Sequence, residues 1–330
     1  MKKLSTLCLG VAVVAVTLVP FGVSAQTNLK LLSSWSSSNK PIYAMAETFV
    51  ENVNQIGHGK VKISISGPEV VPAFEQLQPV SSGVFDMLFT HGVYHAGSKG
   101  LALVIDAIDL NPVMRRKVGI TDLIDKYYQK QHNLKMVSMP SMSFFGYHLY
   151  TKKPLTAAGD IKGQRIRGTQ SYQRVIESLG GSLVVLPFGE TYSALQKGVV
   201  DGVAFPAAGV LSTKHYEVTQ YRLRPTFGTS NEPIFINLDK WNRLSSSEQA
   251  ILLEAGKKTE LEMPWIGNGI QAQEDAKLDA LGMKYSQLSA QKAAMVKKAW
   301  NDSLWVLAEK CCGDAAKELR ALALKNGMTQ

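Results

Sequence analysis

Residues 161–206 constrain the fold of this chain most strongly, because short apolar runs alternate there with helical patterns. The strand candidates are 161–167, 183–186 and 199–204, and the helix candidates are 171–179 and 190–197. Glycine follows both helix candidates, which is a common signal for the end of a helix. Short strands and helices that alternate in this way predict an α/β fold with a mainly parallel sheet.

The amino terminus has the three parts of a secretory signal peptide. Lys2 and Lys3 provide the positive start, residues 7–19 are mainly apolar, and Val23-Ser24-Ala25 is a small-residue cleavage site. We therefore predict that residues 1–25 are removed and that the mature protein is exported to the periplasm. A retained amino-terminal anchor is the alternative, because short anchors have a similar composition.

Size and charge narrow the possible functions. Roughly three hundred residues follow the signal, which is enough for two α/β lobes with separate cores. The net charge is +9, but the lysines and arginines are scattered along the chain. No basic cluster is interleaved with aromatic residues, so the composition favours a mild attraction of small anions and argues against nucleic-acid binding.

The α/β pattern continues outside the opening segment. Strand candidates lie at 29–35, 60–66, 84–90 and 134–139, and helix candidates begin at Pro41 and cover 73–82 and 113–131. Ser245 and Glu248 form a helix-start signature before a long helix, in which Pro264 is expected to cause a kink. His91 and Tyr94 follow a strand candidate at its carboxyl end, where α/β sheets bind ligands.

Two motifs in the opening segment carry a family resemblance. Residues 165–167 read R-I-R, and residues 187–202 read P-F-G-E-T-Y-S-A-L-Q-K-G-V-V-D-G. They resemble the K-I-R-V and P-x-x-E-x-Y-x-A-L-Q-x-G-x-V-D-G motifs of the substrate-binding proteins of tripartite ATP-independent periplasmic (TRAP) transporters. The resemblance implies a two-lobe periplasmic solute-binding protein fold, with a ligand cleft between hinged lobes and a long helix across both.

The resemblance also suggests how the chain divides between the lobes. The first lobe would contain 26–145 and 233–272, and the second would contain 146–232 and 273–330. The chain is expected to cross between them at 143–150 and 233–238, which are extended aromatic or β-branched stretches.

Arg167 is the principal candidate for ligand binding. In the family, the arginine of K-I-R binds the substrate carboxylate, and Arg167 occupies that position. A guanidinium presents a planar fork of donors that matches both carboxylate oxygens, which a lysine ammonium cannot do. Glu190, Tyr192 and Asp201 also match the family motif, and we interpret them as residues that hold the fold.

Alignment with the family implies further pocket positions. His148 stands where relatives that bind acidic sugars have a second arginine, and Phe205 stands where relatives often have an asparagine. His91 and Tyr94 replace an acidic and a basic residue found in some relatives. The remaining candidates for the pocket are Phe188, Asn231 and Trp35. For each aromatic residue, packing in the core is the alternative to ligand contact.

These replacements predict the ligand and the partners. Histidine and aromatic residues in place of charged and amide groups favour a monocarboxylate with an apolar or aromatic body, and His148 and Phe205 are expected to set that preference. The resemblance implies hinge closure around the acid and delivery to the membrane subunits of a permease that runs on an ion gradient. We expect a monomer without cofactor or metal.

Two other functions stay open at this stage. A binding protein of this kind could instead present its ligand to a sensor kinase. An enzyme is the alternative of another class, but G-x-S-x-G, H-E-x-x-H and a nucleotide-binding G-x-x-x-x-G-K-[ST] are all missing from the sequence. His91 and His95 have the spacing of a helical metal pair, which Gly92 makes unfavourable.

Cys311 and Cys312 are the two cysteines outside the predicted signal peptide. Because they are adjacent, they fit neither a disulfide framework nor a spaced zinc site. They predict either two thiols in a carboxyl-terminal helix, which we favour, or a vicinal disulfide ring. No function follows from them.

Overall fold

The structure is a computed structural model that describes residues 26–330, so the predicted signal peptide lies outside the described residues. The strands are β1 (Thr27–Ser33), β2 (Val61–Ser66), β3 (Met87–Phe89), β4 (Leu134–Ser138), β5 (Tyr147–Thr151), β6 (Arg165–Gly168), β7 (Ser182–Val185), β8 (Gly202–Pro206), β9 (Tyr221–Arg224), β10 (Ile234–Asn237) and β11 (Lys284–Gln287). The helices are α1 (Lys40–Gly57), α2 (Leu77–Ser81), α3 (Pro112–Lys117), α4 (Ile120–His132), α5 (Gln173–Ser178), α6 (Thr191–Gln196), α7 (Leu238–Arg243), α8 (Ser246–Ala280), α9 (Ala290–Cys312) and α10 (Asp314–Lys325).

The first sheet has the strand order β2-β1-β3-β10-β4. β1 pairs in parallel with β2 and β3, whereas β10 runs antiparallel to β3 and β4. Met45, Phe49 and Val53 lie four residues apart on one side of α1 and are fully buried in the core of this sheet. α8 packs beside α1 and extends this core.

The second sheet has the strand order β11-β9-β5-β8-β6-β7. The segment 161–206 forms β6, α5, β7, α6 and β8, and β6 pairs in parallel with both β7 and β8. β5 joins the sheet antiparallel to β8 and β9. The two-lobe α/β fold, predicted from the alternation and the resemblance, is therefore confirmed: the molecule contains two mixed sheets with helices packed against them.

Two extended segments join the sheets. Residues 139–146 lead from β4 to β5, and residues 225–233 lead from β9 to β10. The segments pair with each other, because Met142 N donates to Ser230 O at 2.8 Å and Glu232 N donates to Pro140 O at 3.1 Å. Each crossing begins earlier in the chain than predicted, since residues 147–150 belong to β5 and residues 234–237 form β10, and the two segments form a two-stranded connection between the sheets.

α8 is anchored to both halves of the molecule. Ser245 caps it with the predicted capping box, and the helix continues through Pro264 to Ala280. The Glu260 carboxylate accepts from Met139 N at 2.7 Å beside the first sheet. The Glu274 carboxylate accepts from the Gly209 amide at 2.8 Å beside the second sheet. The helix thus spans the connection between the sheets, as the resemblance implied.

Three predicted elements differ from the structure. The helix expected at 113–131 is divided into α3 and α4, because Gly119 between them has φ +88°, a left-handed conformation that interrupts an α-helix. The strand expected at 84–90 is limited to β3, since the amides of Val84 and Phe85 bond back to Pro79 O. The helix expected at 73–82 is a 3-10 turn, Ala73–Glu75, followed by α2.

The carboxyl-terminal helices contact both halves of the molecule. α9 packs against α5 on one side and against Leu101–Ala107 on the other, and α10 packs against α4. The Trp300 indole N–H donates to Asp106 O at 3.2 Å. Residues 290–325 therefore also cover the first half of the chain, and the lobe boundaries given above stay a proposal. Cys311 and Cys312 form a vicinal disulfide at the end of α9, not the two thiols that we favoured.

Candidate ligand-binding site

One cavity of about 50 Å³ lies where the carboxyl ends of strands from both sheets meet. Trp35 follows β1 and His91 follows β3, whereas Arg167 lies at the end of β6 and Phe205 at the end of β8. Glu232 reaches the cavity from the crossing segment 225–233. Because both sheets and a crossing segment contribute walls, a molecule bound here would contact both halves of the protein.

Arg167 is the cation of this cavity. Its side chain is buried, with 3% of the residue exposed, and burial lowers the pKa of the guanidinium. Nε and Nη2 both donate to the same acceptor, the Leu186 carbonyl oxygen, at 3.1 and 2.9 Å. Within residues 26–330, no carboxylate pairs with Arg167, and Nη1 makes no hydrogen bond. A buried cation with unused donors is arranged to receive an anion.

Aromatic rings form two opposite walls. Trp35 and Tyr94 stand on the first-sheet side, with their ring centroids 5.6 Å apart. Phe188 and Phe205 stack on the second-sheet side at 5.4 Å, and His215 meets Phe205 edge to face at 5.4 Å. The Phe188 ring also lies 5.8 Å from the Arg167 guanidinium. An apolar group of a ligand placed between these walls would lose its contact with water without losing any hydrogen bond.

His91 belongs to a buried polar network at the first-sheet side of the cavity. Its Nδ1 accepts from Val93 N at 3.1 Å, so Nε2 carries the hydrogen that is donated to Asp106 Oδ2 at 2.8 Å. Burial lowers the pKa of His91, but the Asp106 charge and hydrogen bond outweigh it and raise that pKa overall. Tyr147 Oη donates to the same Asp106 oxygen at 2.7 Å. These groups satisfy one another without a ligand.

Glu232 is the one carboxyl group in this cavity wall. The residue is 1% exposed, and its Oε1 accepts from Ser230 Oγ at 2.7 Å. Its Oε2 is buried and has no hydrogen-bond partner among the described residues. Burial raises the pKa of Glu232 to about 8 against the opposing charge of His91. At neutral pH the side chain is therefore mainly an uncharged carboxylic acid.

The structure brings together six of the eight predicted pocket residues. These are Arg167, Phe205, Phe188, His91, Tyr94 and Trp35. His148 and Asn231 do not line the cavity. Successive side chains on a strand point to opposite faces, so Tyr147 faces the cavity whereas His148 accepts a hydrogen bond from Arg224 on the other face. Asn231 is fully buried and bonds to Asp106, Arg115 and Ser141 instead.

Sequence reasoning missed Tyr147, Tyr172 and Glu232 as cavity residues. Side chains alternate between the two faces of β5, so the sequence could have predicted Tyr147 in the cavity in place of its neighbour His148. Nothing in the sequence marked Glu232, whose place depends on the pairing of the two crossing segments.

The described residues contain no group of three or more histidine, cysteine, aspartate or glutamate side chains that could hold a metal ion. Both histidines are hydrogen-bonded in the structure: His91 Nε2 lies 2.8 Å from Asp106 Oδ2, and His95 Nε2 lies 3.0 Å from Thr90 Oγ1. Over residues 26–330, none of the helices has the length and apolar character needed to cross a membrane.

Comparison with known proteins finds one family profile. A profile described as bacterial extracellular solute-binding protein, family 7, matches residues 32–309. A monocarboxylate 2-oxoacid-binding periplasmic protein from Nostoc is 26% identical over 251 residues, covering 71% of this chain and 66% of that protein. A C4-dicarboxylate-binding periplasmic protein from Rhodobacter capsulatus is 28% identical over 158 residues, covering 46% of this chain and 45% of that protein.

Solved structures share the fold at low sequence identity. A TRAP solute-binding protein from Desulfovibrio salexigens with bound orotic acid has a TM-score of 0.78 and 20% identity, covering 91% of this chain and 98% of that chain. A Bordetella pertussis extracytoplasmic solute receptor that binds pyroglutamic acid has a TM-score of 0.76 and 19% identity, covering 90% of this chain and 99% of that chain.

Proposed function

Because the chain belongs to family 7 of the bacterial extracellular solute-binding proteins, we propose that it captures a small organic acid outside the cytoplasm. The acid binds in the cavity between the two sheets, and Arg167 clamps its carboxylate. The protein releases the acid to the membrane subunits of a TRAP permease driven by an ion gradient. It acts as a carrier without a catalytic step of its own.

The observation that carries this proposal is the unused donor capacity of the buried Arg167 guanidinium. Nε and Nη2 share one backbone carbonyl at 3.1 and 2.9 Å, and burial disfavours the charged form. A ligand carboxylate would supply the missing countercharge and accept two hydrogen bonds in a bidentate arrangement. Such a contact is stronger in this desolvated cavity than in water, and it selects for a planar anion.

We propose a monocarboxylate with an apolar or aromatic body as the ligand class. Phe188, Phe205, Trp35 and Tyr94 offer ring surface on both sides of the cavity. The volume of about 50 Å³ in this conformation limits the size of that body. An apolar cavity of about 150 Å³ holds benzene, so an aromatic acid would require the lobes to close less tightly than they do here.

Hinge closure gives a physical account of capture. The two crossing segments and α8 connect the halves of the molecule, whereas the cavity walls come from both halves. A ligand that touches both walls is bound more tightly by the closed form and therefore shifts the equilibrium toward it. Transport and presentation to a sensor kinase share this step, and the family relationship favours transport.

A thermal-unfolding screen tests the proposed function. A ligand that binds only the folded protein raises its melting temperature, by an amount that grows with concentration relative to Kd. We expect small monocarboxylic acids to stabilise the protein and their amides and methyl esters to have no effect at the same concentration. Preferential stabilisation by a neutral sugar or by a polyamine would contradict the proposal.

A further inference from the structure

The Asp106 side chain accepts hydrogen bonds from three parts of the molecule at one point. Its Oδ2 accepts from His91 Nε2 at 2.8 Å and from Tyr147 Oη at 2.7 Å. Its Oδ1 accepts from the backbone and side-chain nitrogens of Asn231 at 3.0 and 2.8 Å. His91 follows β3 of the first sheet, Tyr147 begins β5 of the second sheet, and Asn231 lies on the crossing segment 225–233. The carboxylate therefore joins both sheets to one of the two connections between them.

Four donors that converge on two oxygens require a carboxylate. A carboxylate only accepts hydrogen bonds, and each of its oxygens can accept two. An amide in its place would turn one oxygen into a donor, so two of the four donors would lose their acceptor whichever way the amide faced. Asp106 is 2% exposed, so water cannot easily replace a lost partner. The backbone oxygen of Asp106 also accepts from Trp300 Nε1 at 3.2 Å, which ties the residue to α9.

Asp106 lies behind the cavity, and two of its partners form the cavity wall. His91 lines the cavity from the first sheet and Tyr147 lines it from the second. Both donate to the same Asp106 oxygen, so the position of one wall relative to the other depends on this carboxylate. The Tyr147 ring in turn meets Tyr172 edge to face at 5.4 Å, beyond the strand that carries Arg167.

We propose that Asp106 is a positioning residue that holds the two sheets in the arrangement that binds the ligand. It acts through His91, Tyr147 and Asn231 and does not touch the ligand. This inference rests on the proposed function and adds the group that fixes the cavity walls against each other. Without the carboxylate, the protein should populate a wider range of arrangements, of which a smaller fraction can close on an acid.

The expected effect on binding is one common factor for every acid. When only a fraction of the protein is competent to bind, the apparent Kd of each ligand is its intrinsic Kd divided by that fraction. A fall of the competent fraction to about one tenth weakens all acids by about tenfold. A residue that contacts the ligand would instead change the affinities of different acids by different factors.

Two variants test this expectation by calorimetry with propanoate, butanoate and 3-phenylpropanoate. Asp106→Asn keeps the size of the side chain and removes one acceptor oxygen. Tyr147→Phe keeps the ring and removes only the hydroxyl that bonds to Asp106. We expect Asp106→Asn to weaken all three acids by about tenfold and Tyr147→Phe to weaken them by a smaller common factor. The double variant should lose less than the product of the two factors, because Tyr147 acts through Asp106.

Tyr128→Phe is the matched control for these variants. Tyr128 is fully buried, and its hydroxyl accepts from Ala102 N at 3.3 Å in Leu101–Ala107, the segment that also contains Asp106. This hydrogen bond stays within the first half of the chain, so its loss should lower stability without a change in binding. Thermal unfolding of each variant checks that it is folded at the temperature of the binding experiment.

Distances between spin labels report the arrangement of the sheets without any ligand. Lys62→Cys in β2 and Lys197→Cys at the end of α6 are exposed positions on the two sides of the molecule. Pulsed electron resonance on the doubly labelled, unliganded protein gives the distribution of the distance between them. We expect a broader distribution in Asp106→Asn than in the wild type or in Tyr128→Phe.

Three results would overturn the inference. The first is wild-type affinity for all three acids in Asp106→Asn, together with an unchanged distance distribution. The second is a factor that differs from acid to acid, which would assign the effect to direct contact of the ligand with His91 or Tyr147. The third is an equal loss of binding in Tyr128→Phe, which would reduce the effect to a general loss of stability. Failure of every acid to bind the wild type would reject the proposed function, and the distance distributions would still decide whether Asp106 holds the sheets.

Discussion

Arg115 and Arg167 are both buried arginines, but their surroundings satisfy the hydrogen-bond donors of the guanidinium to different extents. Neither makes an ion pair within residues 26–330, and they are 2% and 3% exposed. Arg115 donates from Nε to Asp109 O at 2.5 Å, from Nη1 to Asn231 Oδ1 at 2.8 Å and from Nη2 to Ile108 O at 2.9 Å. Arg167 donates only to the Leu186 carbonyl oxygen.

The difference separates a structural cation from one that is free to bind. All three nitrogens of Arg115 are occupied, and burial nevertheless lowers its pKa to about 10. Its acceptors come from the first half of the chain and from the crossing segment 225–233, so the side chain fastens that crossing in place. The donors that Arg167 leaves unused lie in the wall of a cavity. Burial alone therefore does not identify a binding residue, and the unused donors of Arg167 beside the cavity support its proposed role.

Arg115→Ala should produce the largest effect, and it should be an effect on stability. The change leaves the carbonyls of Asp109 and Ile108 without the Arg115 donor, at about 1–3 kcal/mol for each unsatisfied group. Asn231 Oδ1 also loses one of its two donors but still accepts from Ser141 Oγ. We expect the free energy of unfolding, measured by urea denaturation, to fall by about 3–5 kcal/mol.

The matched control for this prediction is Arg243→Ala, which removes an exposed arginine from the end of α7. Its stability should stay within about 0.5 kcal/mol of the wild type. If Arg115→Ala lowers the free energy of unfolding by less than about 1 kcal/mol, the hydrogen bonds of Arg115 contribute little to stability. That result would contradict the description of Arg115 as a structural cation.

Arg167→Ala should have the opposite consequence, a loss of binding with little loss of stability. Removal of a buried, bidentate, charge-assisted contact costs about 2–5 kcal/mol, or thirtyfold or more in affinity. The unliganded variant should keep a free energy of unfolding close to that of the wild type, because removal of a desolvated cation without countercharge offsets the loss of the donors to the Leu186 carbonyl oxygen. Calorimetry with the best acid from the thermal screen measures the affinity.

Two further variants sharpen this prediction. Arg167→Lys keeps the charge but not the fork of donors, and it should recover only part of the affinity. Arg165→Ala lies in the same strand, but its side chain is half exposed and pairs with Asp201 at 3.1 Å, so affinity should be unchanged. Near-wild-type affinity in Arg167→Ala would remove Arg167 from the site.

The pKa of His215 can show whether the charge of Arg167 has been removed or neutralised. Burial first and the Arg167 charge second lower the pKa of His215 to about 4. Arg167→Ala should therefore raise that pKa, and a bound carboxylate should do the same, whereas Arg115→Ala should leave it unchanged. Titration of the imidazole by NMR measures the three values.

The lowered pKa of His215 also affects how the stability of the protein depends on pH. A histidine with a depressed pKa contributes stability that is fully present above its ordinary pKa of about 6.5 and is lost as the pH falls toward 4. Arg167→Ala should reduce the part of this acid sensitivity that comes from His215. If the pKa of His215 is the same in both arginine variants, the Arg167 charge does not reach it.

Local patterns predicted much of the fold. The alternation in 161–206 gave the parallel core of the second sheet, and the Ser245–Glu248 pair located the start of α8. Apolar spacing was insufficient where a backbone break interrupts it. Gly119 has a φ of +88° and divides the helix expected at 113–131, although the helical spacing continues across it.

Only the cavity residues that lie at strand ends or in family motifs could be predicted from the sequence. Arg167 and Phe205 were placed by the motif and by the carboxyl ends of strands. His148 was misassigned to the pocket, because an alignment position does not tell which face of β5 a side chain occupies. Glu232 depends on the pairing of two segments about ninety residues apart in sequence, a relationship that no local pattern contains.

Phe205→Asn should give the smallest effect and test whether the wall beside Arg167 selects the ligand body. Phe205 is 1% exposed and packs between Phe188 and His215. Asparagine removes ring surface and adds an amide that needs partners, at roughly 1–3 kcal/mol if they are missing. We expect affinity for an acid with an apolar body to fall by about tenfold, and affinity for a dicarboxylate to fall less.

The control is Phe145→Asn, since Phe145 is 45% exposed and lies outside the cavity wall. Calorimetry with 3-phenylpropanoate, butanoate and succinate gives the ranking for each variant. An unchanged ranking in Phe205→Asn would mean that the ring only packs the core, and that recognition on this side of the cavity is confined to the unused donors of Arg167.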